Sequence, residues 1–71
     1  MRIAEHDYVV LTRDLKEHGL QHGDVGVVVH VYQDASAYEV EFTHHVLTLA
    51  AMDVRPKTNQ ELLHVRELDT T

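Results

Sequence analysis

Apolar and polar residues alternate with a period of two along most of this chain, which is the pattern of β-strands that bury one face. The longest run covers residues 25–32. We predict a strand there whose odd positions face a core and whose even positions lie on a half-exposed face. The odd positions are Val25, Val27, Val29 and Val31, and the even positions are Gly26, Val28, His30 and Tyr32.

Four shorter runs predict further strands. They cover residues 7–11, 37–42 and 46–50 and a short edge strand that ends at Arg55-Pro56, because proline has no N–H for a ladder. The side chains expected in the core from these runs are Val9, Leu11, Tyr38, Val40, Phe42, Leu47, Leu49 and Val54. Glu39 and Glu41 are expected on the outward face.

The segments between these runs carry turn residues. One helical turn after Thr12 should close at Gly19 in the left-handed conformation, and Leu20 then points inward. The connections at 33–36 and 43–45 are polar and short enough for hairpins. A 3₁₀ turn is expected at 51–54. Gly26 favours a bend, a bulge or a close backbone approach inside its strand.

The spacing of apolar residues changes from that of a strand to that of a helix at the end of the chain. Thr58 to Glu61 matches a capping box, and Leu62, Val65 and Leu68 then recur at helical spacing. We predict a C-terminal helix over about residues 59–68. A helix this short is marginal alone, so it is expected to dock on its own sheet or on another chain. The second case predicts a homodimer through Leu62, Val65 and Leu68.

The length and the strand pattern together predict a fold. A chain of 71 residues has room for one core, so we expect a single domain over residues 1–71. Five short strands with hairpin spacing predict an all-β fold, a small antiparallel SH3-like barrel over about residues 7–56 with the short helix behind it.

Composition restricts the chemistry. Six Lys+Arg against 12 Asp+Glu give a formal charge of −6, and there is no cysteine, which excludes disulfides and thiolate chemistry. No apolar run is long enough to cross a bilayer, and the first residues lack a signal peptide's apolar region. We therefore expect a cytoplasmic, acidic protein with no membrane partner.

Two stretches resemble known families. Gly23-Asp24-Val25-Gly26-Val27-Val28 resembles the G-D-x-G-x-V turn and strand of KOW-type SH3-like domains. The longer pattern resembles small bacterial proteins of domain-of-unknown-function family 4926 over about residues 5–56, and it comprises Asp7–Leu11, His18–Gly26, Val28–Tyr32, Tyr38–Phe42 and Leu47–Pro56. The resemblance implies an SH3-like fold and transfers no catalytic residue. Thr43-His44-His45 differs from the acidic, glycine-containing turn that such proteins often carry.

No catalytic, metal or cofactor site is predicted. The seven histidines lack the spacing of a metal site, since Gly19 and Gly23 break any helix that would align His18 with His22. Glu39 and Glu41 share a strand face at a separation that glycosidases use, but a small barrel offers little cleft to exclude water. We expect a protein that is not an enzyme and uses no cofactor.

A protein partner is the function that the sequence favours. Tyr8, Val28, Tyr32 and Val10 fall on the outward parity of their strands, beside the acidic Glu39 and Glu41. We expect Tyr8, Tyr32, Glu39 and Glu41 to bind another protein. By analogy with other small acidic bacterial proteins, it would be an accessory, antitoxin or immunity-type partner of a neighbouring gene product. The alternative is a KOW-like RNA- or DNA-binding domain that uses Arg55 and Lys57.

Overall fold

A computed structural model describes residues 3–43 and 45–58 of the chain. Within them lie five strands: β1 (Tyr8–Leu11), β2 (Val25–Val31), β3 (Ala37–Glu41), β4 (Val46–Ala50) and β5 (Val54–Pro56). Three 3₁₀ turns occupy Lys16–His18, Gln33–Ala35 and Ala51–Asp53. The all-β class and the five strands are confirmed. The predicted C-terminal helix, with Leu62, Val65 and Leu68, lies outside the described residues.

The strands form one antiparallel sheet in the order β4-β3-β2-β1-β5. Among the described residues β4 and β5 do not pair with each other, so they are the two edges of an open sheet. The expected closure into a barrel is therefore not observed. The three residues of β5 end at Pro56, which cannot extend a ladder toward β4.

Inward-facing side chains from all five strands pack into one core. Tyr38 and Val40 on β3 alternate with half-buried Glu39 and exposed Glu41, as predicted. The buried cluster consists of Val9, Leu11, Leu15, Val28, Tyr38, Val40, Phe42, Leu49 and Val54. Burial of these side chains supplies most of the hydrophobic stabilisation of the sheet.

The predicted orientation is wrong for Val27, Val28 and Val29 of β2, whereas Val31 packs against the core as predicted. Val28, expected outside, is fully buried at 0% exposure, whereas Val29, expected in the core, is 38% exposed. The pairing of β2 with β3 shifts between Val28 and His30, which leaves Val29 as the extra residue of a β-bulge. The bulge reverses the parity, so that Val31, three residues beyond Val28, packs against the same core.

A second buried pair lies outside this core cluster. Val10 and Val25 are opposite each other on β1 and β2, and they are 1% and 6% exposed. Val10 was expected to contribute to an exposed strip, so that prediction is also wrong. Its neighbours along β1, Val9 and Leu11, belong to the core cluster, so β1 is buried on both faces from Val9 to Leu11, while Tyr8 at its start is exposed.

The connection between β1 and β2 follows the prediction. Gly19 adopts the left-handed conformation with φ 71°, and its N–H donates to the Lys16 carbonyl at 3.1 Å. Leu15 and Leu20 exchange backbone hydrogen bonds of 2.9 and 3.1 Å across this turn. The left-handed glycine thus turns the chain back so that the Leu15 side chain is buried.

Candidate protein-interaction surface

Four side chains form a row across the face of the sheet that points away from the core. Tyr8 pairs with Val27, Val27 with Glu41, and Glu41 with Val46. Directly paired residues project from the same face of an antiparallel sheet. Tyr8 and Val46, at the two ends, are 46% and 55% exposed. We call Tyr8, Val27, Glu41 and Val46 the outer row; it crosses three strand spacings, roughly 14 Å.

A second, more polar group lies next to the outer row on the same face. The Tyr32 hydroxyl donates to Glu39 Oε2 at 2.7 Å. The His30 ring meets the Tyr32 ring nearly at right angles, with centroids 4.8 Å apart. His30 Nδ1 also lies 3.9 Å from Glu5 Oε2. We call Glu5, His30, Tyr32 and Glu39 the outer cluster.

The β-bulge produces this cluster. Without the extra residue at Val29, His30 would continue the inward parity of Val28; with it, His30 pairs with Glu39 on the outer face. The outer row and the outer cluster meet on β3, where Glu39 and Glu41 are two residues apart. The two carboxylates therefore stand side by side in the middle of the surface.

Hydrogen bonds within the outer cluster shift the pKa of its tyrosine. The hydrogen bond to Glu39 raises the pKa of Tyr32, and a hydrogen bond with Thr48 opposes part of that rise. The phenol keeps its proton to a higher pH because its ionised form would repel the carboxylate that accepts its hydrogen bond. Glu39 is therefore held in place by a donor, whereas Glu41 is exposed on the surface.

The structure places the predicted binding residues on one face. Which of them lie next to each other there was not indicated by the sequence. Tyr8 shares the outer row with Glu41, and Tyr32 is half-buried against Glu39. The prediction missed Val46, which is more exposed than Tyr8. Its position could have been found, since inward Leu47 and Leu49 leave Val46 outward by parity.

The basic residues of the alternative function lie at the β5 edge. Arg55 pairs with Val10, and the Lys57 N–H donates to the Tyr8 carbonyl at 3.1 Å. Their side chains donate to nearby carbonyls of Pro56 and Thr58. An open depression of about 300 Å³, lined by Asp7, Tyr8, Pro56 and Lys57, adjoins the Tyr8 end of the outer row.

A third cation is held elsewhere by a buried carboxylate. Arg13 Nε donates to Asp53 Oδ1 at 2.9 Å and its Nη2 donates to Oδ2 at 3.3 Å. This hydrogen bond raises the pKa of Arg13. Asp53 is only 8% exposed. The Thr12 N–H donates to the Asp53 carbonyl at 2.9 Å. Together these contacts join the end of β1 to the turn that precedes β5.

The histidines do not converge on a metal site in the described part of the chain. No group of three or more metal-ligating side chains occurs there. The His18 and His45 rings come within 6.0 Å of each other, on different loops. No helix in the described ranges is long and apolar enough to span a membrane.

Comparison with known proteins identifies the family of the chain. A search of the curated proteins and a search of the solved structures found no match. The family described as "Domain of unknown function (DUF4926)" matches residues 5–57, which include every strand of the sheet and both groups on its outer face. The chain therefore belongs to the DUF4926 family.

Proposed function

We propose that the protein is a non-enzymatic binding module that recognises another protein through the outer row and the outer cluster. The outer row carries the proposal. It places exposed Tyr8 and Val46 at its two ends, with half-buried Val27 and the Glu41 carboxylate between them. Tyrosine is enriched among the few residues that carry most of the energy of protein interfaces, and charged groups add orientation and specificity.

The charges on this face indicate the chemistry of the partner. Glu39 and Glu41 lie at its centre, and the chain as a whole carries a formal charge of −6. A partner with Lys or Arg beside apolar side chains would complement both features. The negative field would also accelerate the encounter with a basic surface at low ionic strength.

The outer cluster supports the proposal because part of it is already ordered. Glu39 accepts a hydrogen bond of 2.7 Å from Tyr32, whose ring packs against His30. A side chain that is held before binding loses less conformational entropy on association. The cluster thus provides a preorganised acidic position next to the adaptable Glu41.

The KOW-like nucleic-acid function is the alternative outcome. It would use Arg55 and Lys57, which lie at the β5 edge. A phosphate backbone would be attracted there and repelled by Glu39 and Glu41. Arg55 pairs with Val10 and so projects from the same face as Tyr8. The negative charge of Glu39 and Glu41 on that face is therefore what favours a protein partner over a nucleic acid.

Two further proposals concern the fold family and the biological role of the protein. We propose that the open, bent five-stranded sheet is an SH3-like fold, supported by the strand order and by the bulge in β2. We also propose an accessory role toward a neighbouring gene product, such as that of an antitoxin or immunity protein. The formal charge of −6 supports such a role toward a partner with a basic surface.

A comparative capture experiment tests the proposal. Tagged wild-type protein and the variants Glu41→Lys, Tyr8→Ala and Glu17→Lys would be used to capture proteins from the native host. Glu17→Lys is the matched control, because it makes the same charge change on the exposed 3₁₀ turn at Lys16–His18. We expect one basic protein to be captured by wild type and Glu17→Lys and lost with the other two. Equal capture by all four would contradict the proposal, as would RNA that is lost on changing Arg55 and Lys57 to Ala.

A further inference from the structure

The backbone hydrogen bonds of the β3–β4 hairpin determine which N–H and C=O groups of β4 point toward β3 and which point away from the sheet at its edge. At one end Phe42 and His45 donate to each other's carbonyls at 2.7 and 3.3 Å. At the other end the Ala51 N–H donates to the Ser36 carbonyl at 3.1 Å. Hydrogen-bonded and non-hydrogen-bonded pairs alternate along an antiparallel ladder. The odd-numbered residues from 45 to 51 therefore direct their N–H and C=O groups toward β3.

The even-numbered residues of β4 direct their backbone groups the other way. These are Val46, Thr48 and Ala50, which face Glu41, Glu39 and Ala37 as non-hydrogen-bonded pairs. Within residues 3–43 and 45–58 no strand pairs with this side of β4. Three N–H and three C=O groups thus point outward in a row along the edge.

The two edges of the sheet differ in how well they are protected against pairing with a further strand. The β5 edge has three residues, among them Arg55 and Pro56, which are typical of strands that avoid further pairing. The β4 edge is five residues of sequence Val-Leu-Thr-Leu-Ala, without charge or proline. Val46 is 55% exposed there, and Leu47 is only half-buried at the rim of the core.

We propose that β4 pairs with β4 of a second copy of this chain, antiparallel and about a two-fold axis at Thr48. In this register Thr48 faces Thr48 of the second copy, and Val46 faces Ala50 of the second copy. Val46, Thr48 and Ala50, whose backbone groups point away from β3, then all form hydrogen-bonded pairs. These pairs give six backbone hydrogen bonds between the two copies. The two sheets become one ten-stranded sheet.

A second copy fits this edge better than an unrelated strand does because β4 is complementary to itself. It carries no charge that would repel its own copy. Leu47 would lie beside Leu49 of the second copy, so the half-buried leucine at the rim would be covered and the two cores joined. A two-fold contact also closes on itself and does not continue into a fibre. The inference concerns the backbone edge of β4, whereas the proposed function concerns side chains on the outer face; Val46 belongs to both.

Cysteine cross-linking tests both the dimer and its register, because the chain has no cysteine of its own. In the proposed register the two Thr48 Cα atoms lie about 5.5 Å apart, a distance that a disulfide spans. The two Val46 residues lie roughly 14 Å apart along the strands, as do the two Ala50 residues. With oxidised glutathione, Thr48→Cys should form a covalent dimer rapidly, and Val46→Cys or Ala50→Cys alone should not. A mixture of those two variants should cross-link.

Sedimentation equilibrium of the full chain provides the second readout. We expect wild type and Met52→Lys to have twice the chain mass at high micromolar concentration; Met52 is 82% exposed on the turn after β4 and serves as the control. Thr48→Lys should weaken the dimer by at least about tenfold, because two like charges would meet on the axis, with unchanged circular dichroism. A wild-type monomer at millimolar concentration would overturn the inference. So would equal cross-linking rates for all three single cysteine variants.

Discussion

The Cα of Gly26 on β2 lies so close to Val40 on β3 that an added Cβ would come within 2.5 Å of Val40 Cγ1. The same Cβ would lie 2.9 Å from Phe42 Cε1. Gly26 is therefore required by close packing, and the position that its side chain would occupy is filled from the neighbouring strand. This relationship also determines which face of β2 points inward, since Gly26 and buried Val28 share it.

Replacing Gly26 with alanine should destabilise the fold by about 1–3 kcal/mol, the usual cost of overpacking a core. The measurement is the free energy of unfolding in urea. Removing Val40 Cγ1 should recover part of the loss, so Gly26→Ala should cost less in a Val40→Ala background than in wild type. Gly19→Ala serves as the control: its cost comes from φ 71° with no atom within 4 Å, and it should not depend on residue 40.

The orientation of β2 can be tested with two identical substitutions at neighbouring positions. Val28→Thr places a hydroxyl in the core at a residue of 0% exposure and should cost about 1–3 kcal/mol. Val29→Thr makes the same change at a residue of 38% exposure and should stay within about 0.5 kcal/mol of wild type. Chemical denaturation of both variants decides the matter. A larger loss for Val29→Thr would mean that the strand faces the other way.

The positions of the five strands along the chain were predictable, and the faces of β2 were not. Polar-apolar alternation places β3 correctly, because Tyr38 and Val40 contrast with Glu39 and Glu41. In β2 valines occupy both parities, so the alternation carries no information about which side is buried. The bulge at Val29 then reverses the parity within the strand, and a β-branched residue gives no signal for it.

Long-range contacts were equally beyond prediction. Arg13 and Asp53 are 40 residues apart in sequence, and their pairing depends on β5 lying against β1. Of the proposed interaction surface, Tyr8, Glu39 and Glu41 follow from local parity. The row that unites Tyr8 with Val46 depends on the register of three strand pairs. The residue pattern of a single sequence does not specify that register.

The Arg13–Asp53 pair should depend on the shape of the guanidinium. Two donors of Arg13 reach the two oxygens of a carboxylate that is 8% exposed. Lysine presents a single ammonium and cannot reproduce this arrangement. Arg13→Lys should therefore lower the melting temperature, and Arg13→Lys should have less effect in an Asp53→Asn background. Additive effects would show that the pair contributes little.

Tyr32 should give the protein a distinct alkaline response. Its pKa is raised above the ordinary value of 10.0, first because its hydroxyl donates to Glu39. A raised pKa in the folded state means that the stabilisation is complete below about pH 10 and is lost as the pH rises through the folded pKa. The stability difference between wild type and Tyr32→Phe should be constant at neutral pH and shrink above pH 10. Glu39→Gln should lower the pKa of the Tyr32 tyrosinate transition followed by ultraviolet absorbance.

Nuclear magnetic resonance with the captured partner shows whether the outer row is the binding surface. The ¹⁵N-labelled chain would be titrated with that protein and, separately, with RNA, and amide shifts would be mapped onto the sheet. We expect the partner to shift the amides of Tyr8, Val27, Glu41 and Val46 and RNA to leave them unchanged. Shifts confined to Arg55 and Lys57, produced by RNA, would contradict this expectation.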